Sequence, residues 1–294
     1  MAASNRTNQI VKLHKVAKKH YSPVRPDAGH DLLETLVYGI CLENATFAAA
    51  DALYQGLKAD FFDFNEIRVS TVKELAEYSG KHPQPAGTAA HLKQFLQSTF
   101  ETRYSWDLED LKKQNIGKAV AVLQKIDGAT TFAISYAVQN ALGGHSIPVD
   151  VAMLNLLYTC GIINEAEASK GIVPGLERAI PKSKGSEFFS LTHQLGVDYL
   201  SSPHSAKVRG IIVEVDPEAK QRFPKRKSAA AEAGARGEKS AGEEAARKKK
   251  ALRKSAKAKP AEAPAKTGKK KSAAVSESKS TAGASRKPAK RKPR

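Results

Sequence analysis

The amino-acid composition changes sharply at Lys220, and this change limits folding to the residues before it. Residues 220–294 contain 26 basic and 6 acidic residues, a net charge of +20, whereas residues 1–219 carry a net charge of −2. The C-terminal stretch is rich in Ala, Lys, Pro, Ser and Gly and has one aromatic residue, Phe223. Such a segment buries too little apolar surface to offset its loss of chain entropy. We therefore predict a folded domain over 1–219 and a disordered basic tail over 220–294.

The tail composition is typical of a polycation that binds nucleic-acid phosphates. Its Lys-Lys-Lys and Ala-Lys-Pro segments recur without a fixed period, which indicates low complexity and not a folded repeat. Binding of such a segment releases counterions, so its affinity depends on salt and not on base sequence. We expect double-stranded DNA as the partner. RNA, an anionic membrane surface and a role in solubility alone are the alternatives.

Cysteine content and hydropathy exclude several kinds of site. The two cysteines, Cys41 and Cys160, lie in apolar helical segments, and the chain has no Cys-x-x-Cys pair. This excludes a thiolate zinc site and an iron–sulfur cluster held by four cysteines. No apolar run is long enough for a membrane span, and residues 1–20 lack the apolar segment of a signal peptide. We expect a soluble intracellular protein that needs no metal, no organic cofactor and no membrane.

Apolar residues recur at helical spacing throughout the folded part, and no long stretch alternates with a period of two. This pattern predicts an all-α fold of eight to ten helices. Thr71 and Glu74 have the spacing of a capping box at the start of a short helix. The main predicted helices cover residues 5–20, 31–41, 45–57, 89–100, 118–123, 132–142 and 186–199, and a further helix follows Asp150.

The stretch 118–157 contains the most informative motif: a helix, a tight turn, a second helix, a Gly-Gly turn and a helix that begins after Val149-Asp150. The tight turn is Ile126-Asp127-Gly128-Ala129-Thr130. An earlier motif, Leu42-Glu43-Asn44-Ala45-Thr46, lies between two apolar helices. With these motifs, residues 10–200 resemble the helix-hairpin-helix base-excision DNA glycosylases of the endonuclease III superfamily.

The resemblance implies two helical lobes of the HhH-GPD type with an active cleft between them. The hairpin, about 117–142, would bind a DNA phosphate through backbone N–H groups, as helix N-termini do. Asp150 would act as general base and electrostatic stabiliser, Phe132 would lie in the base pocket, and Asn44 would be the wedge in the DNA stack. The backbone contacts would come from Gly128, Ala129, Thr130 and Thr131.

Three departures from the family pattern bear on activity. Asp127 replaces the hairpin proline, and Thr130 replaces its second glycine. Phe132 stands where the bifunctional members carry their lyase lysine, and a phenyl ring cannot form a Schiff base. The cluster cysteines are missing, as in the alkyl-purine glycosylases of the superfamily. We therefore expect a monofunctional glycosylase that hydrolyses the N-glycosidic bond of a damaged or mismatched base.

Each site residue also has a structural interpretation. Asp150 and Asn44 are good helix N-caps, and Phe132 is an ordinary core residue by its spacing. His145 and His193 have no partner at ligand spacing and are interpreted as structural or surface residues.

Two other functions remain open at this point. One is a catalytically inactive DNA-binding or nucleoid-associated protein that keeps the fold, and the other is a helical adaptor anchored to nucleic acid by its tail. A basic patch near the hairpin would favour DNA binding over the adaptor. We expect a monomer located with DNA, in the bacterial cytoplasm and nucleoid or in the nucleus of a eukaryote. The candidate patch residues are Lys112, Lys113, Lys118, Lys125 and Arg209.

Overall fold

A computed structural model describes residues 3–25, 29–80 and 82–225. Within them the chain forms thirteen α-helices and two short 3₁₀ helices, and it forms no strand, so the all-α prediction is confirmed. The α-helices are α1 (Ala3–His20), α2 (Leu32–Leu42), α3 (Phe47–Asp60), α4 (Phe64–Val69), α5 (Val72–Glu77), α6 (Pro85–Arg103), α7 (Ile116–Leu123), α8 (Thr131–Asn140), α9 (Val151–Thr159), α10 (Glu165–Ser169), α11 (Leu176–Ala179), α12 (Lys182–Ser201) and α13 (Ala206–Val215). The 3₁₀ helices are Glu109–Lys113 and Pro217–Gln221.

The predicted number of eight to ten helices is therefore too low. Three of the additional helices, α4, α10 and α11, have four to six residues and are too short to show a full helical repeat. The fourth, α13, carries a readable signal that was missed: Val208, Ile211, Ile212 and Val215 have i, i+3, i+4, i+7 spacing and are all buried. The predicted capping box of Thr71 and Glu74 is present at the start of α5.

The helices pack as two lobes, as predicted. In the first lobe α2 packs against α3, α6 and α8, while α4 and α5 pack on α6 and α7 packs on α8. In the second lobe α1 packs against α11, α12 and α13, and α9 packs against α10 and α12. Because α12 also contacts α8, the two lobes meet where α8, α9 and α12 lie together.

Small residues allow close helix packing inside each lobe. A Cβ atom at Gly39 of α2 would lie 3.0 Å from the Cα atom of Ala133 in α8. A Cβ atom at Gly196 of α12 would lie 3.1 Å from the carbonyl carbon of Ala152 in α9. These close approaches pack the N-terminal end of α8 on α2 in the first lobe and that of α9 on α12 in the second.

The described chain continues six residues past the predicted domain boundary at Ala219. Arg222 forms an ion pair with Asp216, and its Nε donates to the carbonyl oxygen of Thr159 at 2.9 Å. The ring of Phe223 lies 6.0 Å from that of Tyr199. The remainder of the predicted basic tail, residues 226–294, lies outside the described residues. No helix in the described part is long and apolar enough to cross a membrane.

Candidate active site

The predicted hairpin joins α7 to α8 and is held against α6. Gly128 has a φ of +85°, and a Cβ atom there would overlap the backbone nitrogen of Phe95 and lie 2.7 Å from the carbonyl oxygen of His91. The amide of Asp127 donates to Ser98 Oγ at 3.0 Å, which attaches the turn to the same helix. Glycine is required at position 128 both for its left-handed backbone and for this close contact.

The hairpin leaves backbone donors at the N-terminus of α8. Thr130 is the N-cap, and its hydroxyl accepts an amide of the first turn at 3.1 Å. The amide of Ala129 donates within the turn at 3.2 Å. In the described part of the chain, the amides of Gly128, Thr130 and Thr131 have no acceptor. Such a group of donors favours an anion, although the phosphate site itself stays a prediction.

Asp150 is the N-cap of α9, as predicted, and is only 3% exposed. Its Oδ1 accepts the amide of Met153 at 2.8 Å, and its Oδ2 accepts the amide of Asn44 at 3.0 Å. His193 Nδ1 lies 3.3 Å from the same Oδ2. Burial alone would raise the pKa of Asp150, but His193 and the two amides outweigh burial and lower it. The carboxylate is therefore ionised at neutral pH.

His193 is the buried partner of Asp150, which sequence spacing did not indicate. Its Nε2 lies 2.8 Å from the carbonyl oxygen of Ala45, and because a carbonyl only accepts, Nε2 carries a hydrogen. Its Nδ1 faces Asp150 Oδ2 at 3.3 Å, within ion-pair distance, and has no hydrogen-bond partner among the described residues. His193 is therefore anchored through Nε2 to Ala45 and lies against Asp150 through Nδ1.

Asn44 faces inward in this structure. It has a φ of +59°, is 6% exposed, and its Oδ1 accepts the amide of Ala152 at 3.1 Å. Asn44 therefore binds the N-terminus of α9 from across the junction. The N-cap of α3 is Thr46, so the alternative prediction that Asn44 caps the following helix is wrong. The wedge role of Asn44 stays a prediction.

Phe132 belongs to an aromatic group beside the Asp150–His193 pair. Its ring is 2% exposed and lies 5.8 Å from that of His193 and 5.9 Å from that of Phe189. Phe47 packs on His193 from α3, with ring centres 5.4 Å apart. A cavity of about 410 Å³ lies on that side of His193. The base-pocket role of Phe132 stays a prediction.

Glu43 is a second carboxyl group at the junction and was not singled out from the sequence. It is half-buried at the C-terminal end of α2, directly before Asn44. Burial raises its pKa, the Thr130 hydroxyl opposes this by hydrogen bonding, Asp150 adds to the rise, and His91 opposes it. The available sequence signal was its place inside the motif of residues 42–46.

Of the candidate patch residues, Lys113, Lys118 and Lys125 are exposed, and the other two contact neighbouring side chains. Lys112 pairs with Glu109 at 2.8 Å, and the Arg209 guanidinium lies over the ring of Phe223, 4.7 Å from its centre. Cys41 and Cys160 are free and buried, and burial raises the pKa of each thiol to about 12. Among the residues with described placement, no group of three His, Cys, Asp or Glu side chains has an arrangement that holds a metal ion.

No family model matches the chain, and no curated protein matches it. Solved structures do resemble it. A non-covalent endonuclease III–DNA complex has a TM-score of 0.51 at 15% identity, covering 74% of this chain and 97% of that chain. A trapped covalent endonuclease III–DNA intermediate has a TM-score of 0.49 at 15% identity, covering 74% and 98%. 3-Methyladenine DNA glycosylase (MagIII) of H. pylori, bound to 1,N6-ethenoadenine, has a TM-score of 0.39 at 16% identity, covering 75% and 99%.

At this identity the likeness concerns the fold alone. The described part of the chain has the helix-hairpin-helix fold of endonuclease III. The resemblance predicted from the hairpin and from Val149-Asp150 is confirmed at this level.

Proposed function

We propose that this protein is a DNA-repair glycosylase that hydrolyses the N-glycosidic bond of a damaged or mismatched base in duplex DNA. One observation carries the proposal: Asp150, a buried carboxylate with a lowered pKa, caps α9 where the α2–α3 turn and α12 meet it. Cleavage of this bond develops positive charge on the sugar, which a fixed carboxylate stabilises. The bound phosphate would be held by the free amides of Gly128, Thr130 and Thr131.

The environment of Asp150 favours one of its two predicted roles. A carboxylate whose pKa is lowered is a weak proton acceptor at neutral pH. We therefore assign stabilisation of the sugar cation to Asp150 first, and orientation of the attacking water second. His193 keeps the carboxylate oriented.

Access to Asp150 requires a movement of the α2–α3 turn. Asn44 covers the carboxylate in two ways. Its backbone N–H donates to Asp150 Oδ2, and its side-chain Oδ1 accepts the backbone N–H of Ala152. This turn is the candidate moving element because both of these contacts with the start of α9 are made by Asn44. In our proposal DNA binding withdraws Asn44 from α9, which exposes Asp150 and places Asn44 against the DNA stack. The flipped base then enters between Asp150 and Phe132.

A second candidate function is DNA binding without turnover. It is favoured by the burial of Asp150, whose two oxygens already accept the amides of Met153 and Asn44 and contact His193. On this view Asp150 only caps α9.

Single-turnover base release separates the two functions. The full-length chain, in excess, is incubated with duplexes that contain alkylated purines, uracil, oxidised pyrimidines or mismatched adenine, and with an undamaged duplex as control. We expect release from at least one damaged duplex and none from the undamaged one. Binding to every duplex without release from any would establish the second function.

We predict that the protein forms no covalent adduct with an abasic site. Phe132 occupies the position of the lyase lysine in the family register, and it has no amine to attack C1′. Borohydride trapping with an abasic duplex should give no cross-linked species, whereas endonuclease III, as positive control, is trapped. A trapped peptide that maps to a lysine of residues 5–225 would contradict the monofunctional assignment.

We predict that the basic tail strengthens DNA binding through phosphates. Residues 226–294 hold 23 basic and 6 acidic residues, and truncation after Lys225 keeps the Arg222–Asp216 and Phe223–Tyr199 contacts. The slope of log affinity against log salt should shrink by about 0.9 for each phosphate that the tail no longer neutralises. A full-length control with glutamine in place of the tail lysines and arginines should behave like the truncation. An unchanged slope in a binding titration would contradict a role for the tail.

A further inference from the structure

The Glu43 carboxyl group lines a narrow cleft next to the covered face of Asp150. The cleft has a volume of about 60 Å³ and is bounded by the α2–α3 turn and α6. Ligand pockets usually have volumes of roughly 300–1,000 Å³, so a nucleobase can enter only if a wall moves. Asn44 is the wall that separates this cleft from Asp150. The lining residues are Ile40, Glu43, Asn44, Gln84, Thr88 and His91.

Glu43 and Asp150 are linked through one peptide unit. The amide between Glu43 and Asn44 donates its N–H to Asp150 Oδ2 at 3.0 Å. Withdrawal of Asn44 would therefore join the cleft of Glu43 to the oxygen of Asp150 that the amide covers. A base in the joined space would have Glu43 on one side and its own sugar near Asp150.

The pKa values of the two carboxyl groups are shifted in opposite directions. The pKa of Asp150 is lowered by His193 and by two amides, which outweigh burial. The pKa of Glu43 is raised by burial and by the Asp150 charge, and the Thr130 hydroxyl and His91 only partly oppose this. Carboxyl groups whose pKa values are pushed apart at one site commonly divide into an acid and an ionised partner. The charged and titratable groups that act on Glu43 are His91 from α6 and Asp150 from α9.

Resting on the proposed function, we propose that Glu43 is the general acid that protonates the leaving base while Asp150 stabilises the sugar. The O–H of Glu43 gives its proton to an acceptor atom of the base, a ring nitrogen in a purine or a carbonyl oxygen in uracil. The C1′–N bond breaks, and its electron pair goes to the base. Water then adds to C1′, and the proton released from that water returns to the Glu43 carboxylate. The net reaction consumes one water and gives an abasic sugar and a free base.

Glu43→Gln tests this assignment because bases differ in their need for a proton. Uracil and hypoxanthine are neutral and leave more easily when protonated, whereas 7-methylguanine and 3-methyladenine already carry positive charge in DNA. In the variant we expect release of a neutral base to fall about 100-fold or more. Release of a cationic base should stay within about twofold, since it needs no proton transfer. Glu101→Gln, an exposed change on α6, is the matched control and should leave both rates unchanged.

The pH profile gives a second readout, one that a purely structural role of Glu43 would not move. For a neutral base, release by the intact chain should decline as pH rises through the pKa of Glu43, and this decline should be absent in Glu43→Gln. Equal losses on neutral and cationic bases, or an unchanged profile, would overturn the assignment. So would release of cationic bases alone by the intact chain, or tighter DNA binding by Glu43→Gln with unchanged release of neutral bases. No release of any base by the intact chain would instead refute the proposed glycosylase function, and the role of Glu43 with it.

Discussion

Asp150→Asn is expected to lower the rate of base release by about 100- to 1,000-fold, the usual loss when one preorganised electrostatic contact to a transition state is removed. The replacement has nearly the same shape, and asparagine is itself a good N-cap. It removes the negative charge that opposes the developing charge on the sugar. The measurement is single-turnover release from the duplex that the intact chain processes, at saturating protein.

The control for this variant is Asp60→Asn, which makes the same chemical change at an exposed residue at the end of α3. At saturating protein this control should release base at the rate of the intact chain. Equal rates for Asp150→Asn and the intact chain would show that Asp150 is only a helix cap.

Asp150→Asn should also change how stability depends on pH. The asparagine side chain has one oxygen, so it can accept from only one of the two backbone N–H groups that now bind Asp150. The other N–H loses its partner at a cost of about 1–3 kcal/mol. Because the pKa of Asp150 is lowered on folding, its contribution is present above the unfolded pKa of about 3.9 and is lost as pH falls through the folded value. Urea unfolding should therefore show a larger difference between the two proteins at pH 7 than at pH 3.

Gly128→Ala is expected to destabilise the fold by about 2–5 kcal/mol, through left-handed strain and through overlap with the α6 backbone. The added Cβ would overlap the nitrogen of Phe95 and lie 2.7 Å from the carbonyl oxygen of His91, and a helix backbone cannot move as a flexible side chain does. The melting temperature should fall by roughly 5–20 °C, given 2–4 °C per kcal/mol at this size.

Gly143→Ala is the matched control for the hairpin variant. Gly143 also has a positive φ, +64°, but a Cβ atom there would meet nothing within 4 Å. Gly143→Ala should lower the free energy of unfolding only by the backbone strain, about 1–2 kcal/mol. Similar losses for the two variants in thermal unfolding would mean that the hairpin does not depend on its contact with α6.

Features set by neighbouring residues were predictable. The Thr71–Glu74 capping box, the Asp150 cap and the Gly128 turn each depend on residues within about four positions of one another, and the structure contains all three. The end of α1 at His20 also follows from the chain, because Pro23 comes shortly after it. The extra helices α4, α10 and α11 were not predictable from periodicity, since tertiary packing and caps stabilise single turns that have no repeat of their own.

Local chemistry in the sequence was enough to establish an all-helical domain, its hairpin, and a carboxylate at the start of α9. Only the tertiary structure decided what surrounds that carboxylate. His193 reaches Asp150 because α9 packs on α12, and Asn44 and Glu43 reach it because the α2–α3 turn meets the same junction. These contacts join residues more than forty positions apart, and they depend on helix packing, which has no local sequence signature. The direction of each pKa follows from the same packing, because burial and charge partners are properties of the folded chain.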